Sequence, residues 1–334
     1  MKKKKLVNYS KYGYLFAIPF VLAFLAFMCY PTFNTLILGF TDLKGAGRTD
    51  WKFLPEVGKP LFQNYIDVLK SSSFKKAFTN TWILWGISVI PEYVIALFFA
   101  AWFTDRKLKL RLRGLFKILY YMPSIITGVA IGQLFGSLFG YPKGAINDLC
   151  NIVSSWFGIA RENYNFYAHE WSVKWVIIGV NVYMYFGSTM VLIIAAIMGI
   201  DVEIFEAAEI DGANRFQTFF KVTIPCMRQV LIYILVMSSL GGLNLYDTPA
   251  MIIGPRCNNA GLTNLMYIQN QAFAGSYMYN RAAAASVILT IMCVCLSSII
   301  FFIMRDKDEA KLKKIRRKEM REARLAQIHI ERHK

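Results

Sequence analysis

The sequence predicts an all-α polytopic membrane protein with six transmembrane helices. The chain is 56% hydrophobic, whereas soluble domains average about 45–50% apolar residues. Much of this hydrophobic content lies in unbroken blocks, and a block of about 20 apolar residues can cross a hydrocarbon core about 30 Å thick. Lipid cannot satisfy an unpaired backbone group, and the alternating pattern of barrel strands is absent, so we expect these blocks to be helices.

Six blocks meet the length requirement, namely residues 14–40, 79–103, 116–139, 175–200, 230–253 and 282–304. The fifth block is the weakest, because polar and small residues interrupt it at Gly241, Gly242, Asn244 and Asp247. The first block follows a basic start, as a signal peptide would, but it is too long for the apolar core of one and no small-residue cleavage site follows it. We therefore expect a retained first helix.

The distribution of basic residues predicts which ends of the spans face the cytoplasm. The formal net charge of +17 would suggest a nucleic-acid partner in a soluble protein. With the N-terminus inside, cytoplasmic segments hold 26 of the 38 Lys and Arg residues: five in 1–11, six in 104–117, three in 201–228 and twelve in 305–334. Positive charge collects on the side that does not cross the membrane, so both termini are predicted to be cytoplasmic, without nucleic acid as a partner.

The loop 201–228, between the fourth and fifth spans, reads as a helix–turn–helix. A short helix is predicted through Glu206, and a break follows at Gly212, because glycine tolerates the left-handed backbone of a helix end. Pro225 is placed to open the next helix. Aromatic side chains recur at helical spacing in the second short helix, at Phe216, Phe219 and Phe220. Such an element could dock a protein or lie on lipid, and physical chemistry alone leaves both readings open.

The same loop resembles the EAA loop of binding-protein-dependent ABC permeases. Their pattern begins with Glu-Ala-Ala. A glycine follows four residues after the second alanine, and nine further residues separate this glycine from an Ile-x-Leu-Pro sequence. This chain keeps that spacing, with Val222 at the position of the isoleucine and Ile224 at the position of the leucine. The matching residues are Glu206, Ala207, Ala208, Asp211, Gly212, Ala213, Phe216, Phe219 and Pro225.

Further short matches over residues 12–304 look like the carbohydrate-uptake branch of this family, and like the first permease of the maltose and glycerol-phosphate systems. They are Tyr30-Pro31, Phe40-Thr41-Asp42, Asn64-Tyr65, Asn80-Thr81, Met122-Pro123, Gly144 to Asn147, Tyr246-Asp247 and Gly254-Pro255. Between Asp247 and Pro255 the chain is about two residues shorter than the family pattern. The tail 305–334 also exceeds what such subunits normally carry.

The resemblance implies a type I ABC importer permease fold in the cell membrane of a bacterium. It also implies a second similar permease, two copies of a nucleotide-binding ATPase, and an extracytoplasmic solute-binding protein as partners. ATP and Mg would bind the ATPase, which would push on the loop 201–228, here named the coupling loop. Gly212 would set the angle between its short helices, and Glu206 would hold a cationic ATPase residue.

No catalytic residue, cofactor site or metal site is predicted in the chain itself, because no G-x-x-x-x-G-K-[ST] loop and no G-x-S-x-G elbow occur. The tail 305–334 could lie on anionic lipid or regulate the ATPase, and we favour lipid. Cys150 and Cys257 fall in outer loops and could pair, although little favours a disulfide between them.

A neutral, hydroxyl-rich cargo would need hydrogen bonds beside apolar ring faces. Candidate residues in the fourth and fifth spans are Tyr185, Ser188, Gly242, Asn244 and Tyr246. Composition alone favours interhelical hydrogen bonds and an aromatic belt for them, whereas the resemblance favours a sugar pathway. A polyamine, phosphate or metal-complex cargo would use buried charge, mainly Glu92 and Asp247. A six-helix membrane enzyme or assembly factor is a further alternative, without a catalytic cluster to support it.

The third span carries glycines at intervals of four residues, which places a strip of small residues on one helix face. The strip consists of Gly128, Gly132, Gly136 and Gly140. Another backbone can approach such a strip closely. Tight static packing is the favoured interpretation, and a moving contact near a transport pathway is the alternative.

Overall fold

The computed structural model describes residues 10–105, 111–159, 161–253, 259–275 and 277–304, with residues 316, 319 and 320. Within these ranges the regular elements are helices, apart from one isolated antiparallel bridge between Thr41 and Phe53. Five helices are long and apolar enough to cross a membrane, and a sixth candidate span consists of two helices that meet at 92°. The predicted helical membrane fold is confirmed, with a correction to its third span.

The first span is a helix with a wider turn in its middle. It consists of α1 (Ser10–Phe24), a π-helical turn (Leu25–Cys29) and α2 (Tyr30–Leu38). α2 packs against the helix Tyr279–Met304. In contrast, every described side chain of α1 is exposed, so α1 adds nothing to the core that the rest of the chain forms.

The segment after α2 folds back over the ends of the spans. It contains a short 3₁₀ turn (Leu54–Val57) and α3 (Gln63–Lys70). Asn64 is buried and its Nδ2 donates to the carbonyl oxygens of Gly39 and Thr41 at 2.9 and 2.8 Å. These bonds satisfy backbone acceptors beyond the end of α2, so they fix where the first span ends.

α4 (Ser72–Thr104) is the second span and continues through Pro91. α5 (Arg113–Ile125) and α6 (Gly128–Leu138) occupy the region predicted as one continuous third span, residues 116–139. That prediction is wrong, because the chain bends by 92° between them. Ile126 and Thr127 are extended, the Thr127 hydroxyl caps α6, and Pro123 removes a helical N–H donor just before the bend.

The next elements are α7 (Ala145–Trp156) and α8 (Glu170–Met198). α8 is the most buried of the candidate spans and packs along the length of α4. Two hydrophobic clusters form where these helices meet, one around Leu84 and Met184 and one around Ala96 and Met190. Glu92 lies between the clusters and accepts a 2.7 Å hydrogen bond from the Thr189 hydroxyl of α8.

The remaining chain contains the coupling loop and the last two spans. The loop holds α9 (Val202–Ile210), α10 (Arg215–Thr218), a π-helical turn (Phe219–Thr223) and α11 (Ile224–Cys226). The spans and their connections follow as α12 (Arg228–Leu243), α13 (Asp247–Ile253), α14 (Asn264–Phe273) and α15 (Tyr279–Met304). The fifth span is interrupted between α12 and α13, where the sequence is polar. Cys257 and most of the tail 305–334 lie outside the described residues.

Candidate functional site

The first helix of the coupling loop ends in a motif that requires glycine. Gly212 has a φ of +74°, a backbone conformation that costs a residue with a Cβ about 1–2 kcal/mol. The amide of Ala213 donates to the Ala208 carbonyl at 3.0 Å, and the amide of Gly212 donates to the Glu209 carbonyl at 3.1 Å. This pair of bonds is the Schellman arrangement. It turns the chain sharply after α9, so the angle between the two short helices depends on Gly212.

The second helix of the loop begins with reciprocal side-chain caps. The Gln217 amide donates to Asn214 Oδ1 at 2.9 Å, and the Asn214 amide donates to Gln217 Oε1 at 2.9 Å. This capping box satisfies two backbone donors of a helix only four residues long. The spacing Asn-x-x-Gln in the sequence is a local signal that predicts such a capping box.

One face of the coupling loop is free and the other is attached to the bundle. Glu206 is exposed, and the exposed fractions of Ile210 and Phe216 are 86% and 78%. Ala208 is buried, and half-buried Phe205 packs on the hydrophobic cluster around Met190. The predicted helix–turn–helix is therefore present, with apolar and acidic side chains on its free surface.

The aromatic side chains of the loop do not share one environment. Phe216 and Phe220 are exposed, but Phe219 is half-buried, with its ring centre 5.2 Å from that of Phe220. A π-helical turn begins at Phe219 and changes the helical spacing on which a single aromatic face was predicted. Pro225 lies in the first turn of α11, as expected of a residue that opens a helix.

An ion pair connects the coupling loop to a different span. Arg215 Nη1 of α10 lies 3.1 Å from Asp105 Oδ2, at the end of α4. Arg113, the first residue of α5, donates from Nη2 to the Asp105 carbonyl at 3.2 Å. The end of α4 and the starts of α5 and α10 are thus held together around Asp105. Sequence reasoning missed this residue, because nothing in the motif pairs the loop with α4.

The candidate pathway residues fall into two groups. Tyr185 is 43% exposed on α8, and α8 packs against α13. The hydroxyl of Ser188, one turn further along α8, donates to the Tyr185 carbonyl at 2.8 Å. Half-buried Tyr246 immediately precedes Asp247 at the start of α13. These residues of α8 and of the break before α13 therefore belong to one region.

The second group faces other helices. A Cβ at Gly242 would lie 1.9 Å from Cδ1 of Trp85 in α4. Asn244 is exposed as a whole, but its Nδ2 donates to the Leu240 carbonyl at 2.8 Å and lies 3.9 Å from the sulfur of Cys293 in α15. These contacts are those of helix packing, which was the alternative interpretation of both residues.

The glycine strip packs against α13. A Cβ at Gly128 would lie 3.0 Å from the Asp247 Cβ, and one at Gly132 would lie 2.7 Å from the Met251 Cβ. A Cβ at Gly136 would lie 3.4 Å from the Met251 carbonyl oxygen. Gly140 lies beyond the end of α6 and is not part of this contact. The strip lets α6 and α13, the shorter pieces of two interrupted spans, approach closely.

Gly187 of α8 is a further contact residue, which sequence reasoning did not identify. A Cβ there would lie 1.9 Å from the backbone oxygen of Tyr120, so α5 and α8 touch at their backbones. A glycine inside an apolar helix is the signal for such a contact, but Gly179 of the same helix carries the same signal and makes no such contact. No group of three or more metal-ligating side chains with a metal-binding arrangement occurs in the described part of the chain.

Comparison with known proteins places this architecture in a family. Residues 81–307 match the family described as the binding-protein-dependent transport system inner membrane component. The chain is 28% identical over 292 residues to the arabinooligosaccharides transport system permease protein AraP of Bacillus subtilis (strain 168), with 86% of this chain and 87% of AraP covered. It is 28% identical over 303 residues to the lactose transport system permease protein LacF of Rhizobium radiobacter, with 90% and 96% covered.

A higher identity, 32% over 309 residues, relates the chain to the Probable ABC transporter permease protein YesP of Bacillus subtilis (strain 168), covering 90% of this chain and 93% of YesP. The fold is similar to that of a chain in the crystal structure of a bacterial ABC transporter involved in the import of the acidic polysaccharide alginate. The TM-score is 0.73 at 20% identity, with 89% of this chain and 97% of that chain covered. The chain therefore belongs to the family of binding-protein-dependent transport system inner membrane components and is a multi-pass membrane permease.

Proposed function

We propose that this chain is one of two membrane-spanning subunits of an ATP-driven importer for a sugar or oligosaccharide. The observation that carries the proposal is the coupling loop, in which a glycine-dependent turn presents Glu206 and Phe216 away from the bundle. An exposed phenylalanine and an exposed carboxylate on the same loop suit a protein partner that supplies an apolar pocket and a cation. That partner is an ATPase, two copies of which bind the ATP and Mg that this chain does not bind itself.

A second permease subunit is the proposed partner of α1. The side chains of α1 are bulky and exposed, with exposed fractions of 82% for Phe16 and 73% for Phe20. Because these side chains do not pack in the core of this chain, they can pack against a helix of another subunit. The proposal assigns that surface to a homologous subunit, with which this chain would enclose the transport pathway.

The proposed cargo is a neutral saccharide delivered by an extracytoplasmic binding protein. Relatives named for arabinooligosaccharide and lactose transport support a sugar. The region around Tyr185, Ser188 and Tyr246 offers hydroxyl groups beside aromatic rings, which suits hydrogen bonding and ring stacking. ATP-driven closure of the ATPase dimer would move α9 and α10 and change which side of the membrane this region faces.

Purification from the native membrane tests the proposal. A tagged copy of the chain should retain a second permease and two ATPase copies in gentle detergent, as counted by native mass spectrometry. A binding protein from the same source should then stimulate ATP hydrolysis only with certain sugars. Recovery of the chain alone as an oligomer would overturn the proposal, and stimulation by a polyamine, phosphate or metal complex instead of a sugar would overturn its cargo.

A further inference from the structure

The helix α7 exposes an apolar face on the side of the membrane opposite the coupling loop. It lies between the end of α6 and the start of α8, and α8 crosses the membrane before the coupling loop begins. Its exposed apolar positions recur at helical spacing and continue into the next turn. They are Leu149, Ile152, Val153, Trp156, Phe157 and Ile159, with exposed fractions between 46% and 77%.

The two asparagines of α7 are turned inward and are hydrogen-bonded, whereas Asp148 and Ser155 are exposed. Asn147 is 1% exposed, its Nδ2 donates to the Tyr164 carbonyl at 3.0 Å, and its Oδ1 accepts from the Tyr164 amide at 3.0 Å. Asn151 Nδ2 donates to Asn163 Oδ1 at 2.7 Å. These bonds fix the rotation of the helix about its axis, so the outward direction of the apolar face is set by the structure.

The position of α7 along the membrane normal is fixed by the same loop. The Ser172 hydroxyl, in the first turn of α8, donates to the Tyr164 hydroxyl at 3.2 Å. α7 is therefore at the level of the start of α8, where Trp171 and Trp175 are 54% and 57% exposed. With 12 residues, the helix is about 18 Å long and cannot cross the bilayer.

We infer that α7 lies in the headgroup region of the bilayer, parallel to its surface, with its apolar face against the acyl chains. Tryptophan is enriched at this depth, and Trp156 of α7 is exposed, as Trp171 and Trp175 of α8 are. A short helix with one apolar and one polar face is the element that binds there. A water-soluble partner that binds and leaves would find the indole N–H of Trp156 as the polar side-chain group of this face, because the amide groups of Asn147 and Asn151 are turned away.

Attachment of α7 to the bilayer would position the outer end of α6. The Tyr167 hydroxyl, in the loop that α7 holds, donates to the Gly136 carbonyl of α6 at 2.9 Å. α6 follows the 92° bend and has no straight continuation to the opposite side of the membrane. Its outer end would thus be held at the membrane surface through α7, while its glycine strip contacts α13.

Site-directed spin labelling tests this inference without reference to cargo or ATPase. The single variants Ile152→Cys and Trp156→Cys report on the apolar face, and Asp148→Cys and Ser155→Cys report on exposed polar positions of the same helix. The background is the full chain in lipid nanodiscs with its native cysteines replaced by serine. We expect the ratio of oxygen to nickel-chelate accessibility to be several-fold higher at 152 and 156 than at 148 and 155.

Equal nickel accessibility at all four positions would overturn the inference, and so would nickel protection at 152 and 156 that appears only when a soluble binding protein is added.

If the cysteine-free chain does not fold, tryptophan fluorescence provides the test. Bromolipids should quench the wild-type chain more than Trp156→Phe, and the same quenching in both would contradict the lipid contact. Failure of this test would leave the proposed transport function unaffected, because neither measurement involves transport.

Discussion

At the residue scale, glycines in this chain are required for two different physical reasons. Gly187 is required for space, because an added Cβ would overlap the backbone oxygen of Tyr120. Gly212 is required for backbone conformation, because its φ is +74° although nothing lies within 4 Å of the position a Cβ would take. A substitution therefore acts on helix packing at the first position and on the turn at the second.

We predict that Gly187→Ala destabilises the protein. The contact is with backbone, which cannot rotate away as a side chain can, so α5 and α8 must separate at an expected cost of about 1–3 kcal/mol. The control is Gly179→Ala on the same helix, where a Cβ meets nothing within 4 Å. Thermal unfolding in detergent should show a lower midpoint for Gly187→Ala alone, and equal midpoints for the two variants would disprove the close approach.

We predict that Gly212→Val impairs coupling but leaves the fold intact. A β-branched residue is strongly disfavoured at positive φ, whereas asparagine tolerates it. Gly212→Asn is therefore the matched control, and it should keep most of the activity. The measurement is sugar-stimulated ATP hydrolysis by the reconstituted transporter. Gly212→Val with normal stimulation would show that the turn does not serve docking.

At the element scale, the long apolar runs identified the spans but did not reveal the interruption of the third one. The blocks 79–103 and 175–200 correspond to α4 and α8, because a long apolar run in lipid has no alternative to a helix. The third span was predicted as one helix because Ile126 and Thr127 are compatible with a helix by composition. The bend at these two residues places the α6 glycines against α13, and one sequence cannot reveal such a tertiary contact.

The coupling loop shows the same limit. Its helix–turn–helix was predictable from Gly212, Pro225 and the aromatic spacing, because these are local signals. The π-helical turn at Phe219 and the pair Asp105–Arg215 were not predictable. The pair joins residues that are far apart in the sequence, and only the packing of α4 beside the loop brings them together.

We predict that reversing the charge of Arg215 weakens the transmission of movement from α10 to α4. Arg215→Glu places like charges together at the end of α4, and the double variant Asp105→Arg with Arg215→Glu restores the attraction. An exposed pair contributes about 0.2–1 kcal/mol, so a loss of stimulated ATP hydrolysis of about two- to fivefold is expected, with recovery in the double variant.

The control for this pair is Lys221→Glu, which makes the same charge change at another exposed position of the loop. It should have little effect on stimulated hydrolysis. An uncoupled single variant that the double variant fails to rescue would indicate that Arg215 acts through another contact.

At the scale of the whole molecule, the proposed function depends on which partner covers the exposed face of the coupling loop. The fold and the family are those of a permease, and each of its two membrane surfaces carries a short exposed helix with aromatic side chains. We propose different partners for these helices: lipid for α7, and an ATPase for α9 and α10. Phe216 and Trp156 are 78% and 77% exposed, so they are equally accessible positions at which to compare the two assignments.

Site-specific photo-cross-linking in living cells makes that comparison directly. A photoreactive phenylalanine analogue replaces Phe216 in one strain and Trp156 in another, and the products are identified by mass spectrometry. We predict that position 216 cross-links to a polypeptide with a Walker A sequence. Position 156 should form adducts with lipid and no cross-link to an ATPase. Lipid adducts alone at position 216 would contradict the account, because the coupling loop would then be an interfacial helix.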